Sequence, residues 1–311
     1  MAEPPATVRE ENKGVPPPAP TVAAASQGNF YSRLLLNVRL SLWRGFQHDA
    51  FGVAKGAAYS SILSLFPVLM IVASLMVTAA NGPEYIMEIT AAAYRVLPPG
   101  MGPIVEVYFR TAQERPVRLL IAASLITLWT ASGVMISWME GFRNAYQLPK
   151  TWGIVKERLI AFGLTVMAGI PLTFATILVA FGNQIEARLS VFAGQEISPY
   201  VELLWTMIRW LIATATSIAV MQLIYHNAVP RTLKWHTVLP GAALATAVWF
   251  PATIGFGYYV RNFAAYSLFY GSLATPIVLL VWLYIISVIV LIGAEFNALV
   301  YPRAVQPVKE S

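Results

Sequence analysis

The sequence contains no cysteine. That excludes disulfides, thiolate metal sites and thiol nucleophiles, and it leaves the redox compartment unreadable. Charge is scarce as well. Asp, Glu, Lys and Arg make up 12% of the chain, where a soluble domain carries about 25%. The 15 acidic residues are scattered through tails and loops, so no carboxylate cluster nominates a metal-dependent nuclease. None of HExxH, GxSxG, GxxxxGKS/T or GxGxxG occurs, and no Ser and His spacing nominates a triad. Of the three histidines, His226 and His236 flank a short turn around Pro230. Two ligands fall short of a zinc site, which wants a third protein ligand and ordered outer partners. Neither a metal nor a cofactor is expected, and the chain does not read as an enzyme.

What is abundant is apolar surface. Hydrophobic residues make up 57% of the chain and the mean hydropathy is +0.62. A soluble fold of this composition would have too apolar an exterior to stay dissolved. A helix needs about 20 apolar residues to cross the hydrocarbon core. Uncharged runs of that kind place spans at about 57–80, 118–139, 159–182, 204–225, 238–260 and 274–298. The expected fold is therefore all-α, a polytopic membrane helical bundle of about six transmembrane helices. The stretch before the last span, NFAAYSLFYGSLATP, is rich in small and turn-forming residues and reads as a periplasmic approach.

Orientation follows from Lys and Arg, which concentrate in cytoplasmic loops. With six spans, one side of the membrane holds only Arg95, Arg110, Arg115, Arg118, Arg188, Arg209 and Arg261, that is 7 of the 21 basic residues. The other side, with both termini, holds the remaining 14 and is read as cytoplasmic. The net charge of +6 is thus assigned to topology, not to nucleic-acid binding.

Residues 1–29 carry six prolines and few large apolar side chains. They cannot repay the entropy of ordering, so they read as a disordered cytoplasmic tail. They lack the apolar core of a signal peptide. The membrane domain is expected over 30–302, with a short cytoplasmic tail at 303–311. In the stretch 30–55, Arg33, Asn37, Ser41, Arg44 and His48 form one polar stripe at helical spacing. Such a helix suits the membrane surface, with Trp43 and Phe46 dipping inward and Arg33, Arg44 and His48 meeting lipid head groups. It also suits packing against the bundle. Residues 81–117 read as a helical periplasmic hairpin around PPGMGP, either a cap or a lid over a cavity.

Pro67, Pro171 and Pro251 lie inside the first, third and fifth spans, where each removes a backbone hydrogen bond and kinks its helix. Such kinks open a cavity or adapt the packing. Gly133 with Ser137, and Gly241 with Ala245, give the small-residue spacing that brings helices together in lipid.

Few ionisable residues fall near the spans, and each needs an explanation, because burying one in lipid costs about 2.5–3.5 kcal/mol. Glu295, with Asn297 beside it, lies at the cytoplasmic end of the last span. Its expected partner is a basic residue of the N-terminal helix or of the 140–158 segment. Glu140, Arg143 and Asn144 form a second polar group, Glu140 and Asn144 being one turn apart. Two readings stand for these five residues: structural pairs that lock helices, or a substrate or coupling site.

Four segments in order resemble the YihY/BrkB family of bacterial inner-membrane proteins, once labelled ribonuclease BN. They are AKGAAYSSILSLFPVLMIVASL at 54–75, LWTASGVMISWMEGFRNAY at 128–146, VPRTLKWHTVLPGAALATAVW at 229–249 and YSLFYGSLATPIVLLVWLYIISVIVLIGAEFNAL at 266–299. The YGS turn, the pair Trp282 and Tyr284 and the GAEFNA ending recur together in that family. The resemblance implies an inner-membrane protein associated with envelope integrity. In one branch it implies transport of lipid A precursors, so a phospholipid or lipid A precursor is the implied partner besides the bilayer. The alternative is a non-transporting structural or assembly factor of the envelope. The ribonuclease label is regarded as a misattribution, and the family offers no agreed catalytic residues to carry over.

Overall fold

The computed structural model describes residues 30–78, 117–193, 198–230, 233–263 and 274–302. The tail 1–29, the hairpin at 81–117 apart from Val117, the YGS turn and the tail 303–311 lie outside the described residues. Among the described residues all regular secondary structure is helical. The helices are α1 (Phe30–Gln47), α2 (Ala50–Thr78), α3 (Val117–Ala145), α4 (Ile154–Ala193), α5 (Ser198–Asn227), α6 (Trp235–Phe263) and α7 (Ala274–Val300). Six of them, α2 to α7, are long and apolar enough to cross a membrane.

The helices reach further at the terminal side than uncharged runs indicate. The α3 helix continues through Glu140, Arg143 and Asn144 to Ala145, and α4 already begins at Ile154. The supposed 140–158 loop therefore shrinks to 146–153. Hydropathy ends a span at its first charges, whereas the backbone goes on making helical bonds until a cap stops it. Here the stop is local. Gln147 takes a left-handed φ of 52°, Leu148 N–H donates to Arg143 C=O (2.9 Å) and Gln147 N–H donates to Asn144 C=O (3.1 Å). That pair of bonds is a Schellman cap. Between α1 and α2 the chain turns at Asp49, with φ 57°, a conformation that Asp tolerates better than most residues.

Each of α2 to α7 packs on its neighbour in sequence, and α7 returns to pack on α2, which closes a ring of six. The α7 helix also touches α3 across the ring, and α1 lies on α7 with a smaller contact to α2. Small residues let the backbones approach. Gly133 of α3 faces Ser60 of α2, and Gly56 faces Ser137. Gly241 of α6 meets Gly293 of α7 so closely that a Cβ on Gly241 would overlap the Gly293 carbonyl oxygen.

The main core is gathered at one end of the ring. It takes Ala50 and Ala54 from the start of α2, Met139 and Phe142 from the end of α3, and Ala161 and Leu164 from the start of α4. Ile224 and Tyr225 come from the end of α5, Val238 and Ala242 from the start of α6, and Leu291 and Ala294 from the end of α7. Consecutive helices thus alternate in direction. Phe142 and Tyr225 meet edge to face at 5.1 Å, and the Tyr225 hydroxyl donates to Val290 C=O at 2.7 Å. A smaller cluster of Phe256, Val278, Leu279 and Trp282 lies further along α6 and α7.

Candidate functional site

The polar residues of the last span sit in the packed end. Glu295 is 1% exposed. Its Oε1 lies 2.7 Å from Nδ1 of His48, in the turn after α1. This is the partner sought in the N-terminal helix, found one residue past its end. The second oxygen, Oε2, is buried without a hydrogen-bond partner, and Arg44 is near enough for its charge to act on the carboxylate. Asn144 Nδ2 donates to the His48 carbonyl at 3.4 Å, so α3 holds the same turn from the other side.

Tyr146 closes this region. It is 2% exposed. Its hydroxyl is close to Asn297 and Glu295 but makes no hydrogen bond of regular geometry. Burial pushes the Tyr146 phenol well above its ordinary range, Asn297 draws it back a little, and the Glu295 carboxylate pushes it up further.

Asn297, also 1% exposed, clasps α6. Its Oδ1 accepts from Gly241 N–H at 2.6 Å and its Nδ2 donates to Val238 C=O at 3.1 Å. The amide thereby satisfies a donor and an acceptor of the neighbouring backbone, next to Pro240 in the first turns of α6. The absence of a Cβ on Gly241 makes room for it.

The second nominated group does not act as one cluster. Glu140 is exposed. Arg143 is 8% exposed and its Nη1 pairs with Oε1 of Glu157 in the first turn of α4. Lys150 reaches the other oxygen of Glu157 at 3.3 Å. The ion pair therefore ties α3 to α4 across the short loop. Glu157 was not singled out from sequence because the 140–158 segment was read for its basic residues.

The polar stripe of α1 faces the protein at its C-terminal end. Ser41 is fully buried, and Gly45 packs on Ile292 of α7. Tyr31, Leu35, Trp43 and Phe46 are exposed. Among the three residues expected at lipid head groups, Arg33 is exposed, Arg44 is half-buried and His48 is engaged by Glu295. Arg158, counted from sequence as a loop cation, belongs to α4. Its guanidinium lies 4.0 Å from the Trp129 ring centroid, a cation–π contact, with the Phe162 ring centroid at 5.4 Å, and it donates to the Trp129 carbonyl at 2.8 Å. Among the described residues no three His, Asp or Glu come together. His226 stacks on Trp235 at 4.4 Å and His236 meets Tyr301 edge to face.

Next to the core is a half-open cavity of about 250 Å³ lined from α3, α4, α5, α6 and α7. Its wall is apolar almost throughout, with Met135, Leu172, Val220, Met221, Ile224 and Ile289 among its residues. Pro171 and Pro251 lie within the helices that line it, and Pro67 within α2. This cavity was not legible from sequence beyond the hint of the prolines.

Ring and spans together define a multi-pass α-helical membrane protein. The chain belongs to the family described as virulence factor BrkB, whose model matches residues 42–310. It is 29% identical over 261 residues to a Bacillus subtilis protein named ribonuclease-like protein YfkH, covering 84% of this chain and 93% of that one. It is 25% identical over 270 residues to a UPF0761 membrane protein of Xanthomonas axonopodis pv. citri. A UPF0761 membrane protein of Stenotrophomonas maltophilia is 24% identical over 272 residues. The match covers 86% of this chain in both cases, and 61% and 62% of the two relatives, so the chain spans about three fifths of their length. No solved structure matches it.

Proposed function

We propose that this protein lies in the bacterial inner membrane with both termini in the cytoplasm, and that it moves an amphipathic lipid of phospholipid or lipid A precursor type across the bilayer, thereby supporting envelope integrity. One observation carries the reading: five of the six spanning helices, α3 to α7, line an apolar cavity of about 250 Å³. A ring of lipid-embedded helices needs no internal void for stability, since side chains would fill it at close packing. The two-to-one bias of Lys and Arg supports the orientation. The buried Glu295, with one oxygen unpaired, is the residue read as coupling the movement. In this reading the protein is not an enzyme, and the word ribonuclease stays with the name of the Bacillus relative.

The test is purified protein in liposomes with fluorescent phospholipid and lipid A precursor analogues. Movement between leaflets is expected for the wild type and is lost in Glu295→Gln. A folded wild-type protein that moves none of these lipids would refute the reading.

A second reading, a non-transporting structural or assembly factor, is favoured by a specific observation. Most of the polar residues nominated from sequence are tied into joints between helices: Glu295 to His48, Asn297 to Gly241 and Val238, Arg143 to Glu157. Such joints suit a rigid scaffold. Recovery of a defined envelope partner at fixed stoichiometry, with no lipid movement, would establish it.

A further inference from the structure

Glu295 and His48 are joined by one bond and reached by water from one side. Oε1 of the carboxylate lies 2.7 Å from Nδ1 of the imidazole, and Oε2 is buried with no donor. The Glu295 side chain is 1% exposed and that of His48 is 20% exposed, so the imidazole is the part of the pair that meets solvent. Its position is fixed by its own backbone. His48 N–H donates to Arg44 C=O at 2.8 Å, the His48 carbonyl accepts from Asn144 at 3.4 Å, and the chain turns at Asp49 directly after it.

The other charged and titratable groups leave this pair to itself. From α1, Arg44 acts on the carboxylate through its charge. At the end of α3, Tyr146 lies near it, while Arg143 is committed to Glu157. At the start of α2, Asp49 and Lys55 are exposed. On α6, His236 meets Tyr301 edge to face, and Tyr225 of α5 is bonded to Val290 C=O.

We infer that His48 and Glu295 bind one proton as a unit, and that this proton holds α1 on α7. Without it, the pair carries a full negative charge. A neutral imidazole then gives the buried carboxylate a single hydrogen bond, and the second oxygen has none. A proton taken from water onto the pair makes it neutral overall. If the proton stays on the imidazole, the bond becomes one between ions, about twice as strong as between neutral groups. If it passes to the carboxylate, the buried charge is gone. Either way the costly state, a buried charge short of compensation, is the one without the proton. Two groups this close take up protons as a pair, not singly. The Arg44 charge is present in both states and does not change this order. A proton needs no cavity, so close packing around Oε2 is no obstacle to it. Imidazole is the side chain suited to such exchange between about pH 5 and 8. This extends the coupling role proposed for Glu295 by naming the proton as the coupling ion, and it rests on that reading for its part in a transport cycle. Its readout contains no lipid movement, so either can fail alone.

The chain has no cysteine, so one introduced thiol reports without background. Ser41 is fully buried and lies one turn before Gly45, which packs on Ile292 of α7. Ser41→Cys is therefore reached by N-ethylmaleimide only when α1 leaves α7. Its labelling rate in nanodiscs is divided by that of the exposed Gln47→Cys, which removes the ordinary effect of pH on a thiol. The ratio is expected to rise at least about fivefold from about pH 5.5 to about pH 8.5 as the proton leaves. In the Ser41→Cys background, His48→Gln and Glu295→Gln each remove the site and are expected to leave the ratio flat. A flat ratio with the pair intact overturns the inference, as does a rise of the same size in either variant. Should the variants not fold, Ser132→Cys serves instead. Ser132 is equally buried but lies further along α3, and its labelling is expected not to rise. An equal rise there would show general loosening of the bundle and would overturn the inference.

Discussion

Replacing Arg143 by Ala separates the two roles open to that residue. Its guanidinium is almost buried against Glu157, whose side chain is 6% exposed. Removing one member of a buried pair leaves the other as an uncompensated charge, at about 3–5 kcal/mol. Lys150 remains 3.3 Å from the second Glu157 oxygen, but its own side chain is 59% exposed and solvent screens it. The expected loss is therefore at the lower end, about 3 kcal/mol. At about 2–4 °C per kcal/mol, as for domains somewhat smaller than this one, the midpoint falls by roughly 6 °C or more. The assay is thermal unfolding of detergent-solubilised protein, followed by the monodisperse fraction on size exclusion. Glu157→Ala should fall similarly. The double replacement Arg143→Met with Glu157→Met should return close to wild type, because an apolar pair of similar shape substitutes for a buried ion pair at little cost. With the double replacement Arg143→Ala and Glu157→Ala added, the two single Ala variants close a cycle whose coupling term is large if the pair is what matters. If Arg143→Ala melts with the wild type and yet abolishes lipid movement, the structural assignment is wrong and Arg143 contacts substrate.

Three further outcomes follow from the packed end. His48→Ala strips Glu295 of its hydrogen-bond partner and should lower the thermal midpoint, whereas Glu295→Gln in that background should restore part of it by removing the buried charge. Gly241→Ala should be more damaging than Asn297→Ala: the first drives a methyl into the Gly293 carbonyl, while the second loses two side-chain hydrogen bonds between α7 and α6, worth about 0.5–1.5 kcal/mol each. Tyr146 has a sign that can be worked out. Its folded-state pKa lies above the unfolded value of 10, so above that pH the unfolded chain ionises first and stability falls as pH rises; Tyr146→Phe should flatten this alkaline limb in pH-dependent melts.

The spans and the family were legible because both rest on local information, namely long uncharged runs and ordered short segments. Partners were not. His48 and Glu295 are 247 residues apart, and no spacing rule brings them together; only the need of a buried carboxylate for a donor pointed toward the N-terminal helix. Glu157 was hidden by treating the 140–158 segment as a basic loop, when the Schellman cap at Gln147 and the acidic first turn of α4 hold both residues on helices. Asn297 was nominated for its polarity, but it clasps the backbone of α6, which depends on how closely Gly241 lets the helices approach.

The two readings of function part at the packed end. A carrier must loosen it, because the core there closes one end of the ring and α1 is pinned across α7. A scaffold never needs to. Since the chain has no cysteine, a single engineered pair can decide. A Cβ on Gly45 of α1 would lie 3.8 Å from Cγ1 of Ile292 on α7, and the Ile292 Cβ is one bond beyond that atom, so the two positions neighbour each other closely enough for a cross-link to be tried, a disulfide placing its Cβ atoms about 3.5–4.5 Å apart. Gly45→Cys with Ile292→Cys, oxidised in liposomes, should stop lipid movement and recover it on reduction if α1 must leave α7 during each cycle. Lipid movement at the wild-type rate with the cross-link closed would show that the joint of α1 and α7 is fixed throughout, and would leave His48 and Glu295 as part of the frame and not of the machinery.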